Sequence, residues 1–327
     1  MRVNIAEVER EREKLGIEAP APEALTPVAV NAGQFLKMVL PERKLLLSPW
    51  LPSQGLAMVY APRGIGKTFF ALNVAYAVAS GGRFLNWSAT ESSRVLYIDG
   101  EMPASAMQQR LSDVVVQHDA EADPDYFRLV TPDLQPHGIT PNLASLDGQH
   151  AIEPLLDGVS LVVVDNISTL CRAGIENDAE SWRPVQGWAL RLRSRGISVL
   201  FVHHAGKGGN QRGTSKREDV LDSVLNLKRP ADYSPEQGAR FEVHFEKARG
   251  FMGADADPIE ACLTQSANGD PVWTWSTLED STLDRVIELA KEGLSQADIA
   301  RELEVNRSTV SRHMRKAKAQ GLLGGEL

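Results

Sequence analysis

A glycine-containing segment carries the most distinctive chemical groups in this sequence, and it follows the apolar run of residues 56–60. Gly64 and Gly66 can let backbone N–H groups curl around phosphate oxygens. Lys67 adds a compact cation, and the Thr68 hydroxyl can hold Mg²⁺. Ala61 stands where such loops usually begin with glycine, and Gly64 still frees the turn. The predicted binding residues of this phosphate loop are Ala61, Pro62, Arg63, Gly64, Ile65, Gly66, Lys67, Thr68 and Phe69.

Two further apolar runs end in acidic residues. Residues 161–164 lead into Asp165, at the carboxyl end of a predicted strand, where open α/β sheets place ligands. We expect Asp165 to support Mg²⁺ directly or through water. Residues 95–98 lead into Asp99 and Glu101, and strand alternation puts both on the same side, so periodicity does not choose the base that activates water. Glu101 is further past the strand end, before a helix that begins at a proline; a capping role stays open for either acid.

The motifs GIGKT, YIDGE, VVVD and FVHHAGKGG, in this order and spacing, resemble the RecA-like ATPases. Within that class, residues 45 to 265 are similar to the RepA-type plasmid replicative helicases and their AAA relatives. The resemblance implies that ATP is the nucleotide, that Glu101 polarises the attacking water and that Asp165 serves the Mg²⁺. It also implies that His203 or His204 senses the γ-phosphate. The strand-end position slightly favours His203, and a polar turn is the alternative for both.

Lys247 and Arg249 are two residues apart at the end of a predicted strand, hence on the same face. They resemble the K-x-R element of DnaB-type and KaiC-type ATPases, which offer both cations to the nucleotide of a neighbouring subunit. The resemblance implies a homo-hexameric ring in which hydrolysis depends on assembly. Exposed cations that protect an edge strand from aggregation are the alternative.

A polar, glycine-spaced loop follows the two histidines and contains Lys207, Arg212, Lys216 and Arg217 before the next acid. In RecA-like rings the corresponding loop faces the central channel. We therefore expect contact with the backbone of single-stranded DNA. A solvated lid over the nucleotide is the alternative.

Residues 293–323 resemble a helix-turn-helix domain. Ser295 is predicted to cap its first helix, and Ser308 to open a second helix that buries Val310 and Met314. Glu304 stands where such turns usually have glycine. Residues 305–321 contain five basic residues and no acidic one, which favours a recognition helix in a duplex groove over a simple three-helix interaction domain. The predicted duplex contacts are Arg307, Arg312, Arg315 and Lys316.

Alternating strands and helices must position these residues. Residues 56–60, 95–98, 161–164 and 199–202 are predicted buried strands, and residues 68–79, 104–117 and 181–195 predicted helices, which indicates an α/β fold with a mostly parallel sheet. Residues 220–227, 241–248 and 272–275 are predicted antiparallel strands at one edge. Residues 281–292, 295–303 and 307–320 are predicted helices. We expect three parts: an arm and linker (1–45), with a charged helical segment at 5–14, a RecA-like P-loop NTPase domain (46–278) and an all-α helix-turn-helix domain (279–327).

Composition narrows the functional classes. The 327 residues include 35 basic and 43 acidic side chains, so a globally basic nucleic-acid coat is excluded and any DNA site must be local. Cys171 and Cys262 are too few for a disulfide framework or a four-ligand metal site. The sequence has neither a secretory signal nor an apolar run that could span a membrane, so we expect a cytoplasmic protein. Together with the resemblance, this predicts a Mg²⁺-dependent, DNA-binding ATPase, a hexameric replicative helicase of a plasmid or mobile element. The alternative is a non-unwinding regulator or loader that ATP switches.

Overall fold

The computed structural model describes residues 27–40, 42–172, 179–205 and 218–323. The chain divides into two compact units, residues 1–42 and 43–327. In the first unit, helix α1 (Ala32–Phe35) begins after Asn31, whose side chain accepts a hydrogen bond from the Gln34 backbone N–H at 2.9 Å. The predicted helical segment at 5–14 lies outside the described residues.

The second unit contains the strands and the remaining described helices. Its strands are β1 (Leu45–Leu47), β2 (Leu51–Pro52), β3 (Leu56–Ala61), β4 (Arg83–Phe84), β5 (Trp87–Ser88), β6 (Val95–Asp99), β7 (Phe127–Val130), β8 (Leu161–Asp165), β9 (Ser198–His204), β10 (Ser223–Lys228), β11 (Arg240–Ala248), β12 (Ile259–Gln265) and β13 (Pro271–Thr277). Its helices are α2 (Lys67–Ser80), α3 (Ala104–Gln117), α4 (Leu146–Ile152), α5 (Ile167–Leu170), α6 (Ala179–Ser194), α7 (Leu278–Lys291), α8 (Gln296–Glu302) and α9 (Arg307–Ala319). Short 3₁₀ helices span Pro132–Leu134, Pro136–Gly138, Glu153–Leu155, Pro235–Gln237 and Gly253–Ala256.

Nine of the described strands form one sheet in the order β13-β12-β11-β10-β3-β9-β8-β6-β7. From β10 to β7 neighbouring strands are parallel, and β11, β12 and β13 continue the sheet antiparallel at one edge. The α/β prediction with a mostly parallel, extended sheet is therefore confirmed. Residues 220–227 were predicted as one of the antiparallel strands, and β10 is antiparallel to β11 but runs parallel to β3 on its other side.

Side-chain alternation along the central strands supplies both faces of the core. On β8, Val163 packs into the cluster that contains α2, whereas Val162 and Val164 pack into the opposite cluster with Trp182 and Trp188 of α6. Strands covered on both faces need apolar residues at consecutive positions, which explains why these strands are continuous apolar runs. The sheet is thus fixed between two layers, and its carboxyl edge is a rigid base for the loops that follow the strands.

The C-terminal helices α7, α8 and α9 surround a small apolar core of their own. Its buried members are Val286, Leu289, Ile299, Val310 and Met314. Ser295 caps α8 through the Asp298 N–H, as predicted, and α9 begins at Arg307, the first residue of the predicted helix 307–320, after Asn306. Glu304, between α8 and α9, has a φ of 50° and so adopts the left-handed conformation that favours glycine. No helix among the described residues has the length and apolar character that a membrane span requires.

Candidate nucleotide site and DNA-binding module

A cavity of about 690 Å³ opens at the carboxyl edge of the parallel strands. This is the edge at which open α/β sheets bind ligands. The cavity is lined by Arg63, Gly64, Gly66, Lys67, Thr68, Phe69, Asp99, Glu101, Met102, Pro103, Arg110, Asp113, Asp165, Asn166, His204, Ala239 and Leu263. Of the nine predicted phosphate-loop residues, six line it; Ala61, Pro62 and Ile65 do not, and Ile65 packs into the core instead.

The phosphate loop turns tightly between β3 and α2. Gly64 and Gly66 have φ angles of 77° and 111°, which side chains with a Cβ rarely adopt, and Gly66 is the N-cap of α2. The Lys67 ammonium donates to the carbonyl oxygens of Ala61 at 2.9 Å and Pro62 at 2.7 Å. Burial lowers the pKa of Lys67 to about 8, even though Asp165 and Glu101 oppose the shift. The loop thus presents a buried cation at the N-terminus of a helix, which suits an anion.

Asp165 lies at the end of β8 and is almost completely buried. Its carboxylate accepts hydrogen bonds from the Tyr97 hydroxyl at 2.7 Å and from the Thr68 hydroxyl. Burial raises the pKa of Asp165, and the two hydrogen bonds and Lys67 oppose that rise. A carboxylate beside a hydroxyl offers the hard oxygen ligands that Mg²⁺ prefers, so this pair fits the ion that a phosphate loop implies.

Asp99 and Glu101 occupy different environments. Asp99 is buried, and its oxygens accept from the N–H groups of Glu101 at 3.2 Å and Met102 at 3.1 Å and from the Thr131 hydroxyl at 3.3 Å. Burial raises the pKa of Asp99 to about 6. The Glu101 side chain is 59% exposed, and its Oε2 accepts a hydrogen bond of 2.6 Å from Asn166 Nδ2. Both acids line the cavity, and the geometry favours Glu101 as the carboxylate that contacts water, since it is the more exposed and the oxygens of Asp99 are engaged by Glu101, Met102 and Thr131.

The two histidines that end β9 point to different surroundings. His203 is completely buried and is not among the residues that line the cavity. His204 lines the cavity, with Nε2 4.0 Å from Glu101 Oε2. Strand alternation turns His203 into the core and His204 towards Glu101, so the placement favours His204, against the slight sequence preference for His203, and the sensor role stays a prediction.

Lys247 and Arg249 lie at the opposite edge of the sheet from the phosphate loop. Lys247 is in register with Val224, which pairs with Met58 near the start of β3. The Lys247 ammonium donates to the Glu218 carbonyl, and the Arg249 guanidinium donates to the Asp219 carbonyl at 3.1 Å. Burial, followed by the charge of Arg249, lowers the pKa of Lys247. Neither is among the described residues that line the cavity of their own chain.

Lys207, Arg212, Lys216 and Arg217, the cations predicted to contact single-stranded DNA, lie outside the described residues.

Three of the four predicted duplex contacts, Arg307, Arg312 and Arg315, are exposed on α9. Lys316 was expected beside them, but its Nζ lies 3.9 Å from Glu279 Oε1 and 3.8 Å from Asp280 Oδ1 at the start of α7. These acids compensate part of its charge, and Lys316, whose side chain is 38% exposed, stays a predicted duplex contact. The exposed arginines leave one face of α9 positively charged.

Sequence reasoning missed several residues at the site. Arg110 and Asp113 reach the cavity from α3, and Asn166 holds Glu101. Arg229, directly after β10, donates from Nη2 to the Gly64 carbonyl at 2.9 Å. The only available signal for Asn166 and Arg229 was their position immediately after a strand.

The parallel sheet, the phosphate loop and the acid at the end of β8 define a RecA-like P-loop NTPase fold. The chain belongs to the AAA domain family, whose model matches residues 19–210. A helix-turn-helix domain model matches residues 285–324. Among solved structures, the chain is similar to a KaiC-like protein from the hyperthermophilic archaeon Pyrococcus horikoshii OT3, with 14% identity, a TM-score of 0.49, and coverage of 70% of this chain and 93% of that one. The two family matches indicate an ATP-driven function associated with nucleic acid.

Proposed function

We propose that the chain is an ATP-hydrolysing, Mg²⁺-dependent DNA motor that works as a homo-hexamer, as a replicative helicase of a plasmid or another mobile element does. The single observation that carries this proposal is the convergence of Lys67, Asp165, Glu101 and His204 on one cavity at the carboxyl edge of the sheet. These groups supply what phosphoryl transfer needs: a phosphate cradle, a metal support and a carboxylate for water.

Each residue contributes a defined part of the hydrolysis. The backbone N–H groups at the start of α2 and the Lys67 ammonium bind the phosphates, and Lys67 exchanges the Ala61 and Pro62 carbonyls for phosphate oxygens. Thr68 and Asp165 would hold Mg²⁺, which neutralises charge on the phosphates. Glu101 orients a water molecule and accepts its proton as the water oxygen bonds to the γ-phosphorus and the bond to the bridging oxygen of ADP breaks. His204, 4.0 Å from Glu101, responds to the γ-phosphate.

The position of Lys247 and Arg249 supports assembly. Both cations are remote from the cavity of their own chain, so a nucleotide that they contact belongs to another copy. An arginine supplied by a neighbour stabilises charge in the transition state and couples hydrolysis to ring formation. In such a ring, the glycine-spaced loop of Lys207, Arg212 and Lys216 follows single-stranded DNA, and α9 binds duplex DNA.

The second candidate is a non-unwinding regulator or loader, in which ATP only switches assembly on DNA. The exposed arginines of α9 favour it, because a groove-reading helix suits a protein that stays on one duplex site.

Strand displacement on a forked duplex distinguishes the two candidates. We expect the wild-type chain with ATP and Mg²⁺ to release the labelled strand, and the Glu101→Gln variant to bind the fork without releasing it. Hydrolysis stimulated by DNA without displacement on any fork would favour the regulator. No hydrolysis by the wild-type chain, with or without DNA, would overturn both candidates.

A further inference from the structure

Arg229 ties the phosphate loop to the segment that joins β10 and β11. Its Nη2 donates to the Gly64 carbonyl at 2.9 Å, and its guanidinium carbon lies 3.6 Å from the centre of the Tyr233 ring. Gly64 lines the nucleotide cavity, as does Ala239 at the other end of the same segment. Residues 229–240, the linking segment, therefore contact the nucleotide site at both ends.

The linking segment is internally braced. The Tyr233 hydroxyl donates to the Gly238 carbonyl at 3.0 Å, and Ser234 and Gln237 bond reciprocally around the 3₁₀ helix Pro235–Gln237. Pro230 is buried beside Arg229. These contacts brace the segment between Arg229 at the nucleotide site and its other side, which faces α7.

On that other side, Asp232 holds the C-terminal helices. Its carboxylate is 6% exposed and forms ion pairs with Arg240, at 3.1 Å from Nη1, and with Arg285 of α7, at 2.5 Å from Nε. Arg285 is 27% exposed. Removing a partner of Asp232 is costly, because its carboxylate stays buried.

Arg240 also takes part in a second contact with α7. Glu260 of β12 accepts from Arg240 Nε at 2.8 Å and from Nη2 at 3.1 Å, and its Oε2 also accepts from the Ser281 hydroxyl of α7 at 2.8 Å. Burial by itself would lower the pKa of Arg240, but Glu260 and Asp232 raise it above the usual value. Arg240 is thus a permanently charged centre between the linking segment and α7.

We propose that residues 229–240 couple the nucleotide site to the helix-turn-helix domain through Arg229, Asp232 and Arg285. Phosphate charge in the loop competes with the Gly64 carbonyl for the Arg229 guanidinium. When Arg229 leaves Gly64, the braced segment shifts and changes the contact between Asp232 and Arg285. The position of α7 changes with it, and α9 packs against α7. By linkage, duplex DNA bound to α9 changes nucleotide affinity by the same factor as nucleotide changes duplex affinity. This inference rests on the proposed function, since it requires that both ligands bind.

The test measures this coupling factor with the full-length chain. A fluorescent ADP analogue with Mg²⁺ is titrated with and without saturating mixed-sequence duplex, and a labelled duplex is titrated with and without ADP. In the wild-type chain we expect each ligand to change the affinity for the other by about fivefold or more, and by equal factors.

Three substitutions locate the coupling. Arg285→Gln removes the contacts with Asp232 and with Glu288 of its own helix, so the factor falls by about half or more while both ligands still bind, and the contact through Glu260 and Ser281 remains. Arg285→Lys keeps a cation there and restores part of the factor. Arg301→Gln is the matched control, since Arg301 pairs only with Asp298 of its own helix among the described ion pairs, and it keeps the wild-type factor. Equal wild-type affinities with and without the second ligand, or an unchanged factor in Arg285→Gln, would overturn the coupling and leave the proposed function standing. Failure of the wild-type chain to bind ADP or duplex would overturn the proposed function itself.

Discussion

The Tyr97 hydroxyl donates a 2.7 Å hydrogen bond to Asp165 Oδ2, and Tyr97 is completely buried. The two residues lie on neighbouring parallel strands, β6 and β8, where Tyr97 is in register with Val163. The bond therefore fixes the carboxylate at the edge of the cavity and favours its ionised form against the effect of burial.

Tyr97→Phe removes this hydrogen bond with little change in volume. The pKa of Asp165 then rises further, because burial acts against fewer compensating contacts. We expect Mg²⁺ to strengthen nucleotide binding less at acidic pH, so the acidic limb of the plot of nucleotide affinity against pH moves to higher pH. We also expect a loss of about 1 kcal/mol in the free energy of unfolding. Titration of a fluorescent nucleotide at several Mg²⁺ concentrations and pH values measures the first effect. An unchanged profile would show that Tyr97 does not act on this carboxylate.

Glu101→Gln and Asp99→Asn separate the two acids that the sequence left as alternatives. Gln at 101 keeps the contact with Asn166 and loses the basic oxygen, so we expect nucleotide binding to persist and turnover to fall about 100-fold or more. Asn at 99 keeps one oxygen in the place of Oδ1, which accepts from the N–H groups of Glu101 at 3.2 Å and Met102 at 3.3 Å, so turnover is retained. Steady-state hydrolysis with a parallel binding titration checks both. Normal hydrolysis by Glu101→Gln together with loss in Asp99→Asn would move the base to Asp99.

The lowered pKa of Lys67 makes nucleotide affinity depend on pH. Phosphate binds the ammonium form, and the pKa of this group in the nucleotide-free chain is about 8. Above that pH the free chain loses the cation, so the dissociation constant rises by about tenfold per pH unit. Lys67→Arg stays charged throughout, and its profile should be flat even if its affinity is lower. Binding isotherms from about pH 7 to about pH 9.5 check this. Equal slopes of the dissociation constant against pH for the wild type and Lys67→Arg would exclude Lys67 as the titrating group.

The sequence predicted the central part of the fold because strands buried on both faces leave continuous apolar runs. β3, β6, β8 and β9 are of this kind, and helix α3 has the predicted bounds because Pro103 marks its start. β12 was missed. It lies next to the edge of the sheet, only Ile259 and Ala261 of its seven residues are buried, and polar residues interrupt it.

The candidate site was predictable where a motif is local in sequence and not where it is made by tertiary contact. The phosphate loop and the acid after β8 each lie within a few residues of a strand. Asn166 donates to Glu101, which is 65 positions away in the sequence, and Arg229 donates to Gly64, which is 165 positions away. Polar residues after a strand are common, so no spacing identifies such partners before the sheet order is known. The antiparallel direction of β11 also places Lys247 and Arg249 at the edge opposite their own cavity.

Arg249→Ala mixed with Lys67→Ala tests whether neighbouring copies share a site. Each variant alone should still assemble but hydrolyse ATP about 10³-fold more slowly than wild type. Arg249→Ala lacks the cation that a neighbour would supply, and Lys67→Ala lacks its own phosphate-binding lysine. In mixed rings an Arg249→Ala subunit keeps Lys67 and can receive Arg249 from the other variant, so part of the activity returns. Hydrolysis against mixing ratio, with mixed assemblies verified by native mass spectrometry, checks this. Verified mixed rings that stay inactive at every ratio would indicate that Arg249 acts only within its own chain.

Glu304 holds a positive φ of 50° in the turn of the helix-turn-helix domain, where a Cβ is unfavourable. Glu304→Gly relieves that strain, and after the entropy cost of glycine we expect about 0.5 to 1 kcal/mol of stabilisation. Glu302→Gly is the matched control, since it removes the same charge from an exposed position at the end of α8 and should destabilise by up to about 1 kcal/mol. Native-state hydrogen exchange of the α8 and α9 amides measures both changes in the full chain. Opposite signs would confirm that the backbone, and not the carboxylate, decides the effect at 304; destabilisation by both would show that Glu304 contributes through its side chain.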